Sequence, residues 1–171
     1  MEHPRLRLFE GDILDSSAVA AAVHGQDAVI SALGHRRFFA PTRILSQGTA
    51  NLLQSMEAGG TCRFICLTSL GLGSSAGRMG LAYTFFVIPV ILPFYFWDKT
   101  RQERLITASK TAWVIVRAGA LDNGERRPSY RHGAGIGGFL WTPRISRADV
   151  ADFMLKQLTS DIYLVLNCVN L

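Results

Sequence analysis

The stretch Leu6–Gly34, LRLFEGDILDSSAVAAAVHGQDAVISALG, constrains the fold more than any other part of the chain, because its periodicity changes twice within 29 residues. Leu6, Leu8 and Phe9 form a short apolar run that stops at the turn dipeptide Gly11-Asp12. Asp15 or Ser16 is placed to cap the next segment, in which Val19, Ala22 and Val23 recur at helical spacing. Gly25 supplies a helix stop, and Ala28-Val29-Ile30 is an apolar core strand closed by Gly34. Strand, helix and strand at this spacing predict a right-handed crossover in a parallel sheet. In such sheets ligands sit beyond the carboxyl ends of the strands, which here carry Gly11-Asp12-Ile13 and Ser31-Ala32-Leu33-Gly34.

The same alternation continues downstream. Thr42–Ala58 carries Ile44, Leu45, Gly48, Leu52, Leu53 and Met56 as a helical stripe, ended by Gly59-Gly60. Cys62–Thr68 and Ala112–Val116 are buried strands, and Asp98–Lys110 is a polar helix with Leu105 and Ile106 facing inward. Within that helix Glu103 follows Lys99 by four residues, the spacing of an intrahelical salt bridge. Ser146-Arg147-Ala148-Asp149 is a capping-box pattern opening a helix with Val150, Ala151, Met154, Leu155 and Leu158 on one face. Ile162–Val169 reads as a final strand. The prediction is an α/β fold, a doubly wound parallel sheet, in one domain over residues 1–171.

Two segments stand apart. Met79–Trp97 runs for 19 residues without a charge, long enough for a membrane span, but Pro89 and Pro93 interrupt it. A buried helix with a broken start, or an apolar face for a homodimer, is the preferred reading, and a membrane-touching surface comes next. Gly133–Gly138, GAGIGG, follows no strand and opens no capped helix, so it is read as a mobile substrate-side loop.

Composition excludes several classes. With 49% hydrophobic and 18% charged residues the chain is not disordered. The net charge of +5 comes almost wholly from scattered arginines, which excludes a nucleic-acid footprint and leaves small anionic ligands. Cys62, Cys66 and Cys168 lie in apolar strand-like runs and are expected as buried thiols, which places the chain in the cytoplasm. His24, His35 and His132 are isolated, so no metal site is expected.

The motifs GDILD, DAVISALG, FICLTS, Tyr95…Lys99, DKTRQE, WVIVRAG and ISRADVADFM fall in an order that resembles the atypical short-chain dehydrogenase/reductases. They are most similar to the NmrA-like, flavin/biliverdin-reductase-like NAD(P)-binding group, whose fold is Rossmann-like. The resemblance covers Leu6 to the C-terminus, without the glycine-rich strand-turn-helix with which such domains open, so the fold is expected to be N-terminally truncated. It implies that Asp12 and Ile13 bind adenine and that Ser31, Ala32, Leu33 and Gly34 line the adenosine and ribose. Thr68 would sit beside the nicotinamide, and Ala118, Gly119, Ala120 and Leu121 would close over it. Tyr95 and Lys99 match the catalytic Tyr-x-x-x-Lys pattern, with the lysine lowering the phenol pKa and holding the ribose, and Ser69 orienting the substrate carbonyl. The cofactor implied is NADP or NAD, with NADP slightly favoured; Arg36 and Arg37 reach a 2′-phosphate only if their loop folds that way.

Two functions follow. One is NAD(P)H-dependent hydride transfer to a flavin, quinone or carbonyl compound. The other is a non-catalytic nucleotide-sensing or protein-interaction module on the same fold, membrane-associated through residues 79–97.

Overall fold

The computed structural model describes residues 3–165. Three parallel strands form the main sheet: β1 (Ala28–Ser31), β2 (Arg63–Ser69) and β3 (Ala112–Ala118), in the order β1-β2-β3. Ser31 stands opposite Cys66, and Ser69 opposite Ala118. Helices α1 (Ser16–Val23), α2 (Ile44–Gly59) and α3 (Pro93–Ala108) belong to one side, and α4 (Arg147–Lys156) to the other. A short parallel pair, β4 (Ala120–Asp122) and β5 (Arg144–Ser146), continues from β3 and leads into α4. The architecture is Rossmann-like α/β, with helices on both faces of a parallel sheet.

The sheet exists because β2 and β3 are continuous apolar runs with something to bury on each face. Phe64 and Cys66 point into the cluster with Val19, Val23, Leu52, Met56 and Ile106. Ile65, Val114, Val116 and Ala118 point into the other cluster with Val150 and Met154. Met56, Phe64 and Ile106 are wholly buried, each contributing roughly 1.5–3 kcal/mol by leaving water.

The helix ends follow local chemistry. The Asp15 carboxylate accepts from the Ser17 and Ala18 amides at the start of α1. Gly60 adopts the left-handed conformation, φ 71°, that closes α2. Ser146 caps α4 by accepting from the Asp149 amide at 3.0 Å, as the capping-box pattern predicts. The Asp149 side chain turns instead to Arg127, accepting from its amide and its Nε. Of the stripe expected on α4, Val150 and Met154 are buried, whereas Leu155 and Leu158 are exposed.

Four expectations are corrected. Leu6–Phe9 is not a strand: the segment is irregular and its apolar side chains are exposed. A strand needs a neighbour to take its backbone hydrogen bonds, and Leu6–Phe9 pairs with none among the described residues, so the predicted crossover to β1 is not formed there. Residues 83–91 are not a buried helix either. Tyr83–Ile91 is a wide π-helix with no buried residue. Pro89 has no amide to donate inside it, and the Leu92 amide reaches back five residues to the Val87 carbonyl at 2.9 Å. Pro93 then opens α3 at its first position. Among the described residues no helix is long and apolar enough to cross a membrane.

The loop 133–138 is tethered rather than free, because Gly138 exchanges backbone bonds with Arg78 and Gly80 at 3.0 Å. Finally, Cys62 is disulfide-bonded, against the expectation of a thiol, while Cys66 is free and buried as expected. Cys168 lies outside the described residues. So does half of the expected strand Ile162–Val169, of which Val165 bridges Trp113 in antiparallel fashion.

Candidate functional site

The carboxyl ends of β1 and β2 converge on the inner face of α3. Ser31 closes β1 with its side chain buried, and its Oγ has no hydrogen-bond partner of ordinary geometry. The Cys66 thiol opposite interacts with it, and burial pushes that thiol up to about 12, so it stays protonated. Leaving a buried hydroxyl unpaired costs on the order of 1–3 kcal/mol, so an orphan of this kind calls for an explanation.

Lys99 enters the same space from α3. It is only 3% exposed, and its Nζ donates to the Leu67 carbonyl at a long 3.4 Å. An ammonium has three protons to place, and burial accordingly lowers its pKa, opposed by Cys66, Glu103 and Asp98. The expected salt bridge to Glu103 does not form. Glu103 is taken by Arg117 of β3, whose Nε and Nη2 reach its two oxygens at 3.0 and 2.7 Å. That planar fork matches a carboxylate better than a lysine one turn away. Thr68 also donates its hydroxyl to Glu103, at 2.7 Å, so its proton is committed away from the cleft.

Tyr95 lies one turn before Lys99, but the relation between them is not the one expected. The ammonium sits over the ring, 5.3 Å from its centroid, rather than at the phenol oxygen. Burial first, and Asp98 second, hold the phenol above its ordinary pKa. The predicted lowering by Lys99 is therefore reversed. The phenol oxygen is 3.7 Å from where a Gly34 Cβ would stand, so the glycine after β1 admits the tyrosine to the strand end.

Two residues of this region were not predicted. His35 meets the Tyr95 ring edge-on at 5.0 Å. Its Nδ1 accepts from the Arg37 amide, and its Nε2 lies 3.0 Å from Thr42 Oγ1, so the neutral ring carries its proton on Nε2. Burial lowers its pKa. Asp98 is wholly buried and accepts from the Leu45 and Ser46 amides at 2.9 and 3.2 Å. It caps α2 from another helix, filling a position that Arg43 leaves without a side-chain cap. The sequence carried no local signal for either role: His35 reaches the Tyr95 ring from the loop after β1, and Asp98, inside the Tyr95–Lys99 turn, meets the start of a different helix.

The remaining expected residues fall into two groups. Asp12 is exposed and accepts from the Leu14 amide at 2.9 Å, while Ile13 is held on α2. Asn51 donates to the Ile13 carbonyl, and Gly48 makes room for Ile13, since a Cβ there would lie 2.7 Å from its Cγ1. Leu33 packs against the same glycine, and Ala32 is exposed. Ser69 turns its hydroxyl to the Leu70 carbonyl at 3.1 Å. Ala118 ends β3, while Ala120 and Leu121 belong to β4 and are stitched to β5 rather than free to close. Gly119 lets that turn pass the Pro143 carbonyl, which would stand 2.4 Å from a Cβ. Among the described residues no group of side chains suits a metal ion.

The arrangement thus brings together Ser31, Gly34, Tyr95 and Lys99, with Thr68, Glu103 and Arg117 behind them. It is a cluster of largely buried polar groups with spare donors on a parallel-sheet carboxyl edge.

A family model described as NAD(P)H-binding matches residues 1–161. An uncharacterized chloroplastic protein of Arabidopsis thaliana is 29% identical over 132 residues, which covers 71% of this chain. The chain spans only 45% of the length of that relative. Among solved structures, ChuY, an anaerobillin reductase from Escherichia coli, is similar with a TM-score of 0.67 at 24% identity, covering 89% of this chain and 68% of that one. A short-chain dehydrogenase/reductase from Veillonella parvula in complex with NADP has a TM-score of 0.73 at 16% identity, covering 93% and 67%. An oxidoreductase from Lactococcus lactis has a TM-score of 0.71 at 18% identity, covering 99% and 72%. At these identities the structures support the fold.

Proposed function

The chain belongs to the NAD(P)H-binding family, and on that premise we propose that it is an NAD(P)H-dependent reductase whose substrate is a flavin, quinone or carbonyl compound. The observation that carries the proposal is the pair of under-bonded buried groups, Ser31 Oγ and Lys99 Nζ, at the carboxyl ends of β1 and β2. Burying a hydroxyl that only a thiol contacts, and an ammonium with one long bond, lowers stability, and a bound ligand with hydroxyl and amide groups would offset both penalties.

The residues fit one half of a dinucleotide. Lys99 would donate to the ribose hydroxyls of the nicotinamide side, and Ser31 would bond the same sugar or its neighbour. The pyrophosphate half is less well served, because the start of α1 is already occupied by the Asp15 carboxylate. A carboxylate there both uses the amides and repels phosphate. Asp12 and Ile13 would take the adenine, an amide and a carboxylate being the two groups its edge requires.

The cofactor would supply the hydride. The chain's own work is to hold the ring beside Thr68, to keep water out, and to provide a proton. Tyr95 is protonated at neutral pH, since burial and Asp98 raise its pKa, and it would give that proton to the reduced carbonyl oxygen. ChuY, similar in fold, is an anaerobillin reductase, which supports reduction as the direction of the reaction.

The test is NADPH oxidation by the 171-residue chain with riboflavin phosphate and with a soluble quinone as acceptors. Turnover above buffer is expected, falling at least about tenfold in kcat/KM in Lys99→Met, the loss of one charge-assisted contact. A folded chain that oxidises NADPH no faster than buffer with either acceptor would overturn the proposal.

A further inference from the structure

We propose that the apolar face formed by residues 81–97 and 139–141 docks the protein on the surface of an anionic lipid bilayer, without spanning it. The inference is independent of the reductase reading.

The face has two parts held together. Tyr83–Ile91 buries none of its residues, and it presents Phe85, Phe86 and Val90 to solvent, followed by Trp97 on α3. Phe139 packs edge-on against Phe85 with centroids 6.1 Å apart, and Trp141, 83% exposed, lies beside it in sequence. Thr142 fixes that second segment by donating to the Met79 carbonyl at 2.7 Å. Exposed apolar surface of this extent marks an interaction site rather than chance. Its content of Phe and Trp is that of interfacial segments, which seat such rings at the boundary of headgroup and acyl chain.

The charges select the occupant. Over residues 78–105 the acids, Asp98 and Glu103, are buried and bonded inside the protein, and Lys99 is buried as well. The charged side chains left bordering the face are Arg78, Arg101 and Arg104. Residues 131–144, which carry Phe139 and Trp141, contain no acid. Arg101 stacks on Trp97, with its guanidinium carbon 4.8 Å from the ring centroid, so cation and aromatic anchor are presented together. A rim of arginine around an aromatic face complements phosphate headgroups above and acyl chains below. A second copy of the chain would bring the same arginines together with no exposed carboxylate in either segment to pair with them. The helix that presents Trp97 and Arg101 outward also holds Tyr95 and Lys99 inward, so docking would set the cleft beside the bilayer.

The experiment is co-sedimentation of the full chain with vesicles of phosphatidylcholine alone and of an equimolar mixture with phosphatidylglycerol, with tryptophan emission read in parallel. Binding to the mixed vesicles with a blue shift is expected, about tenfold stronger than to phosphatidylcholine alone and reversed by high salt. Phe85→Ser with Phe86→Ser should weaken binding at least about tenfold, and Arg101→Glu with Arg104→Glu should abolish the preference for anionic vesicles. All four positions are partly or well exposed, and far-UV melting curves check that the variants fold. The salt reversal needs no variant at all. Absence of wild-type binding to anionic vesicles, or equal binding by both double variants, would overturn the proposal. So would a lipid-free dimer in sedimentation velocity that the phenylalanine substitutions dissociate, which would assign the face to a second copy.

Discussion

Replacing Asp98 by alanine should unfold the protein well before it affects any ligand contact directly. The carboxylate is wholly buried and accepts two amides at the start of α2, at 2.9 and 3.2 Å. Arg43, the residue at the cap position, makes no side-chain bond there, so among the described residues Asp98 is the side chain that caps that helix. Two charge-assisted bonds, each worth roughly 1.5–3 kcal/mol, cannot be summed in full because they share one group, so a loss of about 3 kcal/mol is a working figure. For a chain of this size that corresponds to a fall in Tm of about 10 °C. Asp98→Asn keeps one acceptor oxygen and should lose about half as much. In the Asp98→Ala background, Arg43→Ser supplies a local cap and should recover about 1 kcal/mol. Urea unfolding followed by far-UV circular dichroism measures all three. If Asp98→Ala stays within 1 kcal/mol of the parent, as an ordinary surface change would, the interhelix cap is not what holds α2.

Three further outcomes are expected. Lys99→Met should stabilise the chain by about 1 kcal/mol at neutral pH while weakening cofactor binding, since a buried ammonium gives way to an apolar stem of similar length. Because the folded pKa of Lys99 lies below 10.5, the unfolded chain binds more protons between those two values; wild-type stability rises there, and the gain in the variant should shrink in urea titrations toward pH 10.5. His35 has its folded pKa lowered below 6.5 by burial, with Asp98, Lys99 and Arg37 also acting on it. Its contribution is complete above 6.5 and is lost as pH falls through that value toward the folded pKa, so His35→Phe should show a smaller drop in Tm between neutral pH and pH 5. Gly48→Val should cost about 1–3 kcal/mol by driving Ile13 off α2, measured by the same unfolding curves; no change would mean that the 11–15 turn is held elsewhere.

The parts of the fold that could be read from sequence were those in which local pattern and burial agree. Phe64–Leu67 and Val114–Val116 are apolar on both faces and became the paired parallel strands β2 and β3. Asp15, Gly60 and Ser146 announced their helix ends because a cap needs only neighbours within three or four residues. Leu6–Phe9 has the same apolar character but pairs with no strand, and no periodicity reports on a missing partner. Residues 83–91 are apolar on every side, so their pattern has no phase from which exposure could be inferred. Of the proposed site, the strand-end argument reached Ser31, whereas Thr68 and Ser69 were expected from the family resemblance. The partners that give those residues their chemistry come from far away, as Glu103 does for Thr68 and Asp98 for α2, and such pairings emerge only when helices pack. The reversal at Tyr95 has the same origin. Spacing puts a lysine one turn away but does not say whether its charge meets the ring face or the oxygen.

The proposed function stands on the seating of the nicotinamide half of the cofactor at Ser31 and Lys99. It is tested most directly by titrating the folded 171-residue chain with NADPH, following nicotinamide fluorescence, beside Lys99→Met and Ser31→Ala. Saturable binding by the parent is expected, with at least about tenfold weaker binding in Lys99→Met and a smaller loss in Ser31→Ala. Equal binding by all three, or none by the folded parent, would contradict it.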